Sequence, residues 1–214
     1  MTERPILFSG EMVKAILDGR KTQTRRVVKP QPKEVHVGKA KEKRYVEVIT
    51  LNNSEIAAPG SPAHIEECPY GISDDRLWVR ETSVLLPNNT TLYRATDGER
   101  GEAWMMYGKP KWKPSIFMPR WASRITLEIT NVRVERLQDI TEEDAIKEGI
   151  QKSDSEGLRH WPYLGADHLV KGTPKVFPFA RQAFSSLWDS INGKKHPWSS
   201  NPWCWVIEFN RVNA

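Results

Sequence analysis

The sequence predicts an α+β fold, a β-barrel with flanking helices and long loop insertions. Three observations carry this expectation. Apolar and polar residues alternate with the two-residue period of half-buried strands at 75–81, 124–136 and 203–212. Amphipathic helical spacing occurs at 11–18, 141–149 and 179–191, while proline- and charge-rich stretches near 30–70, 97–122 and 150–178 fit neither period. With 214 residues and 38% hydrophobic content the chain can bury a proper core, so it reads as one domain over 1–214 carrying those three insertions.

Taken in order, Pro5 to Phe8 is the expected first strand. Met12, Val13, Ile16 and Leu17 then share one helical face, and Gly19 stands where a left-handed residue closes a helix. Thr24, Val27 and Val28 have strand character, and alternation puts Thr24 and Arg26 on one face with Arg25 on the other. Prolines 30, 32, 59, 62 and 69 interrupt the pattern, leaving 44–51 as a single hairpin-strand candidate. The strand at 75–81 sets Leu77 and Val79 opposite Trp78, and 91–96 is expected as the next strand. After the long strand at 124–136, Asp139 or Thr141 can cap a short helix that Gly149 closes. The helix at 179–191 turns Phe184, Leu187, Trp188 and Ile191 inward, and 203–212 alternates well enough to close a barrel.

The densest chemistry lies at Gly19-Arg20-Lys21-Thr22-Gln23-Thr24-Arg25-Arg26, where a turn, a lysine, two threonines and three arginines follow the first helix. Gly19, Lys21, Thr24 and Arg26 meet the pattern Gly-x-Lys-x-x-Glu/Thr-x-Arg, which resembles the signature of the ASCH family within the PUA-like superfamily. The threonine version is similar to that of small bacterial N4-acetylcytidine amidohydrolases, which use a lysine, a threonine and a distant glutamate. Asp75 to Val79 resembles the Gly-Asp-x-Leu-x-Val step of the same family, with Asp74 in place of its glycine. The order of a long strand followed by a short helix then points to Glu148 as the glutamate, with Glu142 and Glu143 one turn away.

The resemblance implies a PUA-like (ASCH) β-barrel whose cleft recognises a nucleobase, and a Lys21, Thr24 and Glu148 amidohydrolase acting on N4-acylated cytidine. Thr24 is the expected nucleophile, Lys21 its base and Glu148 the group that orients the lysine or moves its proton. A lysine can act so only if desolvation or neighbouring cations such as Arg25 and Arg26 lower its pKa. Backbone N–H groups between Lys21 and Gln23 are the expected oxyanion donors. Two alternatives accompany this reading: a non-catalytic RNA- or DNA-binding module of a phage or mobile element, and a ribonuclease.

Composition bounds the partners. Net charge is +5, and Arg20, Arg25, Arg26 and Lys29 crowd the motif, so a modified nucleoside or a single-stranded nucleic acid is the expected ligand. Of nine tryptophans, Trp188 and at least one of Trp203 and Trp205 are expected in the core, leaving Trp112, Trp161 and Trp198 as candidates for stacking on a base. Cys68 and Cys204 are far apart and the five histidines lack ligand spacing, so no metal, cofactor or disulfide framework is expected and a reducing cytoplasm is the simplest home. No run of about 18 apolar residues occurs, and no membrane partner is implied.

Overall fold

The computed structural model describes residues 1–37, 44–51, 54–56, 65–98, 111–151, 161–162, 169–170, 173–174 and 176–212. Its core is a five-stranded mixed sheet. β1 (Glu3–Leu7) lies parallel to β6 (Arg76–Arg80), and β6 is antiparallel to β9 (Thr126–Arg136). β9 pairs along its length with the last strand, β14 (Trp203–Val212), which pairs on its other side with β2 (Gln23–Val27). The order is therefore β1-β6-β9-β14-β2.

The expectation of a closed barrel is corrected here. Among the described residues β1 and β2 are the sheet's two edges and do not pair, so β14 is an inner strand and not a closing one. A side chain occupies the place where a closing ladder would run. Arg26 Nη2 donates to the Leu7 carbonyl at 2.6 Å, and its guanidinium lies 5.1 Å from the centroid of the Phe8 ring. A guanidinium can satisfy a strand carbonyl, but it cannot continue the two-way exchange of N–H and C=O that a ladder requires.

β14 reads as a continuous apolar run in its first half because both faces of the sheet are covered. Trp205, Ile207 and Phe209 join a cluster with Ile6, Leu77, Leu127 and the helix α1 (Gly10–Leu17), which contributes Val13 and Ile16. Cys204 joins a second cluster with Leu137, Ala145, Phe184, Leu187 and Trp188. This second cluster is built by α3 (Glu142–Lys147) and α4 (Ala180–Asn192). Ile191, expected to face inward, is 56% exposed. It is the penultimate residue of α4.

The remaining elements are short. β3 (Lys33–Val37), β4 (Arg44–Leu51) and β5 (Ser54–Ile56) form a separate antiparallel sheet, so 44–51 is the middle of three strands and not a lone hairpin arm. β7 (Ser83–Leu85) pairs with β8 (Thr91–Tyr93), after which Arg94–Asp97 turn into one helical turn, α2. The strand expected to reach residue 96 stops there because Asp97 Oδ2 accepts the Tyr93 N–H at 2.8 Å, a local bond that competes with strand continuation. β10 (Trp161–Pro162) pairs with β13 (Val176–Phe177), and β11 (Leu169–Val170) with β12 (Thr173–Pro174). Much of the insertions expected near 30–70, 97–122 and 150–178 lies outside the described residues. Among the described residues no helix is long and apolar enough to cross a membrane.

Asp74 forms the turn into β6. Its φ is 71°, the left-handed region that glycine enters freely and that aspartate tolerates better than most residues. The adjacent Asp75 then receives the Thr2 N–H at 2.5 Å, tying the N-terminus to the start of β6.

Candidate functional site

Two helix exits meet at the site. α1 begins at the N-cap Ser9, whose hydroxyl accepts from Met12 N, and ends where Gly19 adopts a φ of 73°. The reversal lets the N–H groups of Arg20 and Lys21 both donate to the Ala15 carbonyl, at 2.8 and 2.9 Å. α3 begins at Thr141, whose hydroxyl accepts from Asp144 N at 3.1 Å, and ends at the C-cap Glu148 followed by Gly149 with a φ of 96°. The two exits are joined by an antiparallel bridge between Lys21 and Glu148 and by Thr22 N–H donating to the Lys147 carbonyl at 3.0 Å. A Cβ on Gly149 would lie 3.1 Å from Ala15 Cβ and 3.2 Å from Lys21 Cβ, so the close approach needs a residue without a side chain.

Lys21 and Glu148 form a buried ion pair. Lys21 Nζ donates at 2.8 Å to each of three acceptors: the Gln23 carbonyl, the Glu148 carbonyl and Glu148 Oε2. An ammonium has three hydrogens, and each is engaged. The lysine side chain is 0% exposed and that of Glu148 4%. Burial pulls the Lys21 pKa below the ordinary lysine value, the Glu148 carboxylate opposes this, and Arg26 and Arg25 add to the lowering.

A charged network backs the pair. Arg25 is fully buried and reaches Glu148 Oε1 at 3.4 Å, Asp144 Oδ2 at 3.0 Å and Glu135 Oε2 at 3.0 Å. Arg133 extends it to Asp144 at 3.2 Å and to Glu135 and Glu208. For Asp144, burial alone would raise the carboxyl, but Arg25 and Arg133 hold it below the usual carboxylate range. Arg25 was expected as an external anion contact. The structure assigns its charge to three carboxylates inside the protein.

In front of the pair lies a cavity of about 560 Å³, within the range of roughly 300–1,000 Å³ usual for small-molecule sites. Thr24, Arg25 and Arg26 of β2, Glu148 and Lys29 line one side, with Met12, Tyr70 and Trp205. α4 and its exit supply Phe184, Leu187, Trp188, Ile191, Lys194, Lys195 and His196 on the other. Thr24 is 3% exposed and Lys29 is exposed. Arg20 stands apart, paired with Asp18 at 2.8 Å and donating to the Gly149 carbonyl at 3.3 Å.

Two further sequence expectations are revised by this geometry. Of the N–H groups between Lys21 and Gln23, expected as oxyanion donors, those of Lys21 and Thr22 are spent on Ala15 and Lys147. The buried donors left without partners on β2 are Arg25 Nε and Arg26 Nε. The tryptophans at the cavity are Trp188, expected in the core, and Trp205, one of the two offered for it, both buried as well as lining the cavity, whereas Trp198 packs against Phe184 with centroids 6.3 Å apart and Trp112 does not line it. The side chain of Trp161 lies outside the described residues. Lys194, Lys195 and His196 escaped the sequence reading, although a basic cluster just past a helix end is the same signal that drew attention to Arg20 and Lys21.

Among the described residues no group of three or more His, Cys, Asp or Glu side chains is arranged to hold a metal ion. Cys68 and Cys204 are free and buried, with thiols pushed by burial up to about 11 and about 12. Comparison with protein-family models, with curated proteins and with solved structures returned no match.

Proposed function

We propose that the chain is an ASCH-type, PUA-like protein that recognises a nucleobase in this cavity and removes the acyl group from N4-acylated cytidine. The observation that carries the reading is a cavity lined by Thr24, by aromatic and cationic residues and by Glu148, the buried ion-pair partner of Lys21. Glu148 Oε2, 2.8 Å from Lys21 Nζ, takes the ammonium proton and leaves a neutral lysine, a transfer favoured by the desolvation of Lys21. The Thr24 hydroxyl then attacks the acyl carbonyl while Lys21 accepts its proton. Arg26, which lines the cavity and keeps its Nε–H unpartnered, faces the developing oxyanion. The C–N bond breaks, the proton passes to the leaving N4 amine, and water hydrolyses the threonine ester to release the carboxylate and restore Thr24.

Acetate release from N4-acetylcytidine tests this directly. Thr24→Ala should abolish release while the protein still binds cytidine, and Thr24→Ser should retain part of the activity because the hydroxyl survives. Binding without release of acetate by the unaltered protein would refute the hydrolase and leave a nucleic-acid-binding module of phage or mobile-element type in its place. That second reading is favoured by one observation: all three hydrogens of Lys21 are already engaged, as in a purely structural ammonium. Cleavage of a labelled single strand in the same assay would identify the ribonuclease instead.

A further inference from the structure

The charge on the cavity is unbalanced. Among the described residues that line it Glu148 is the one carboxylate, and its two oxygens are held by Lys21 and Arg25. At the mouth stand Lys29, Lys194 and Lys195, all exposed and none with an ion-pair partner among the described residues. Lys194 and Lys195 follow the C-terminus of α4, where cations complement a helix dipole. That local reason does not extend to Lys29, which arrives after β2 from the opposite wall. Three lysines lining one cavity raise the positive potential there and favour an anion. The same lining includes the aromatic side chains of Tyr70 and Trp188, both less exposed than the three lysines.

We propose that Lys29, Lys194 and Lys195 form a phosphate subsite at the mouth of the Thr24 cavity, so that the ligand entering it is a phosphorylated nucleoside and not a free one. The inference rests on the reading of the cavity as a nucleoside site and narrows its substrate class. The base lies inward, against the aromatic side chains, and the 5′-phosphate lies outward between the two lysine-bearing walls. The phosphate can belong to a free mononucleotide or to a strand, and both present the same dianionic or monoanionic oxygens to the lysines.

The test is binding, measured without acyl release. The intact protein is titrated at low salt with cytidine, with cytidine 5′-monophosphate and with a short single-stranded oligocytidylate. The monophosphate should bind about tenfold or more tightly than cytidine, the scale of one charge-assisted contact. In K194E/K195E that ratio should fall to one or below. In K194Q/K195Q, a pair of neutral changes at exposed positions that preserves the fold if the reversal does not, the ratio should be intermediate. A strand that binds a further tenfold better than the monophosphate assigns the phosphate to a polynucleotide, and equal affinities assign it to a free nucleotide. Either result upholds the subsite. A ratio near one in the unaltered protein, or a ratio that survives both lysine pairs, overturns it. Acetate release from N4-acetylcytidine with no preference for phosphate would refute the subsite alone, whereas a phosphate preference with no acyl release would refute only the hydrolase.

Discussion

Replacing Lys21 with methionine keeps most of the side-chain volume and removes the ammonium, which makes it the sharpest probe of the site's construction. The Gln23 and Glu148 carbonyls each lose a donor, and the Glu148 carboxylate, 4% exposed, keeps only Arg25 at 3.4 Å among the described residues. The surrounding network sets the size of the effect. Lys21, Arg25 and Arg133 face the four carboxylates of Glu135, Asp144, Glu148 and Glu208. Without Lys21, two cations face four carboxylates, whereas Glu148→Gln leaves three facing three. Breaking one side of a buried pair costs about 3–5 kcal/mol. Lys21→Met should therefore fall near the top of that range and Glu148→Gln clearly below it. For a chain of this length each kcal/mol lowers the thermal midpoint by roughly 2–4 °C, so Lys21→Met should lower it by ~10–20 °C. Urea unfolding should show a reduced midpoint at unchanged slope. The double variant should be less destabilised than the two single losses combined, with a coupling of about 1–3 kcal/mol. A loss under ~1 kcal/mol for Lys21→Met, or Glu148→Gln proving the costlier change, would refute the account of a lysine held by an acid-rich network.

Asp144, held below the usual carboxylate range in the folded protein, contributes stability that is complete above the unfolded value and lost as pH falls through the folded one. Asp144→Asn should therefore cost about 2 kcal/mol at pH 7, and the gap should close as pH falls below ~4 in acid-unfolding curves. Gly149→Ala should cost about 1–3 kcal/mol by urea unfolding, since it combines a φ of 96° with contacts near 3.1 Å to Ala15 and 3.2 Å to Lys21. A neutral Gly149→Ala would show that the two helix exits have room to separate. Cys68 and Cys204, with thiols raised to about 11 and about 12, should resist a disulfide reagent at pH 8 in the native protein and both react on unfolding. Rapid native labelling of either would contradict their burial.

Local order was legible from the sequence because local rules generate it. Helical spacing at Val13 and Ile16, the closing glycines 19 and 149, the Thr141 cap and the alternation of Leu77 and Val79 each depend on neighbours within a turn or two, and each stands in the structure as read. The pairing of Lys21 with Glu148 was reached through a resemblance in the order of elements, since nothing within a few residues of either position specifies the other. Only the tertiary structure decided three matters. Whether the sheet closes depends on how β1 and β2 are set around α1, and the Arg26 contact with the Leu7 carbonyl at that gap is a long-range event. Whether a cation is free or consumed depends on which carboxylates the fold delivers to it: Arg25 and Lys29, four positions apart, are alike in sequence, yet one is buried among Glu135, Asp144 and Glu148 and the other stands exposed at the cavity mouth. The cavity itself joins β2 to the exit of α4 across more than half the chain, and a periodicity of two or of 3.6 residues contains no information at that distance.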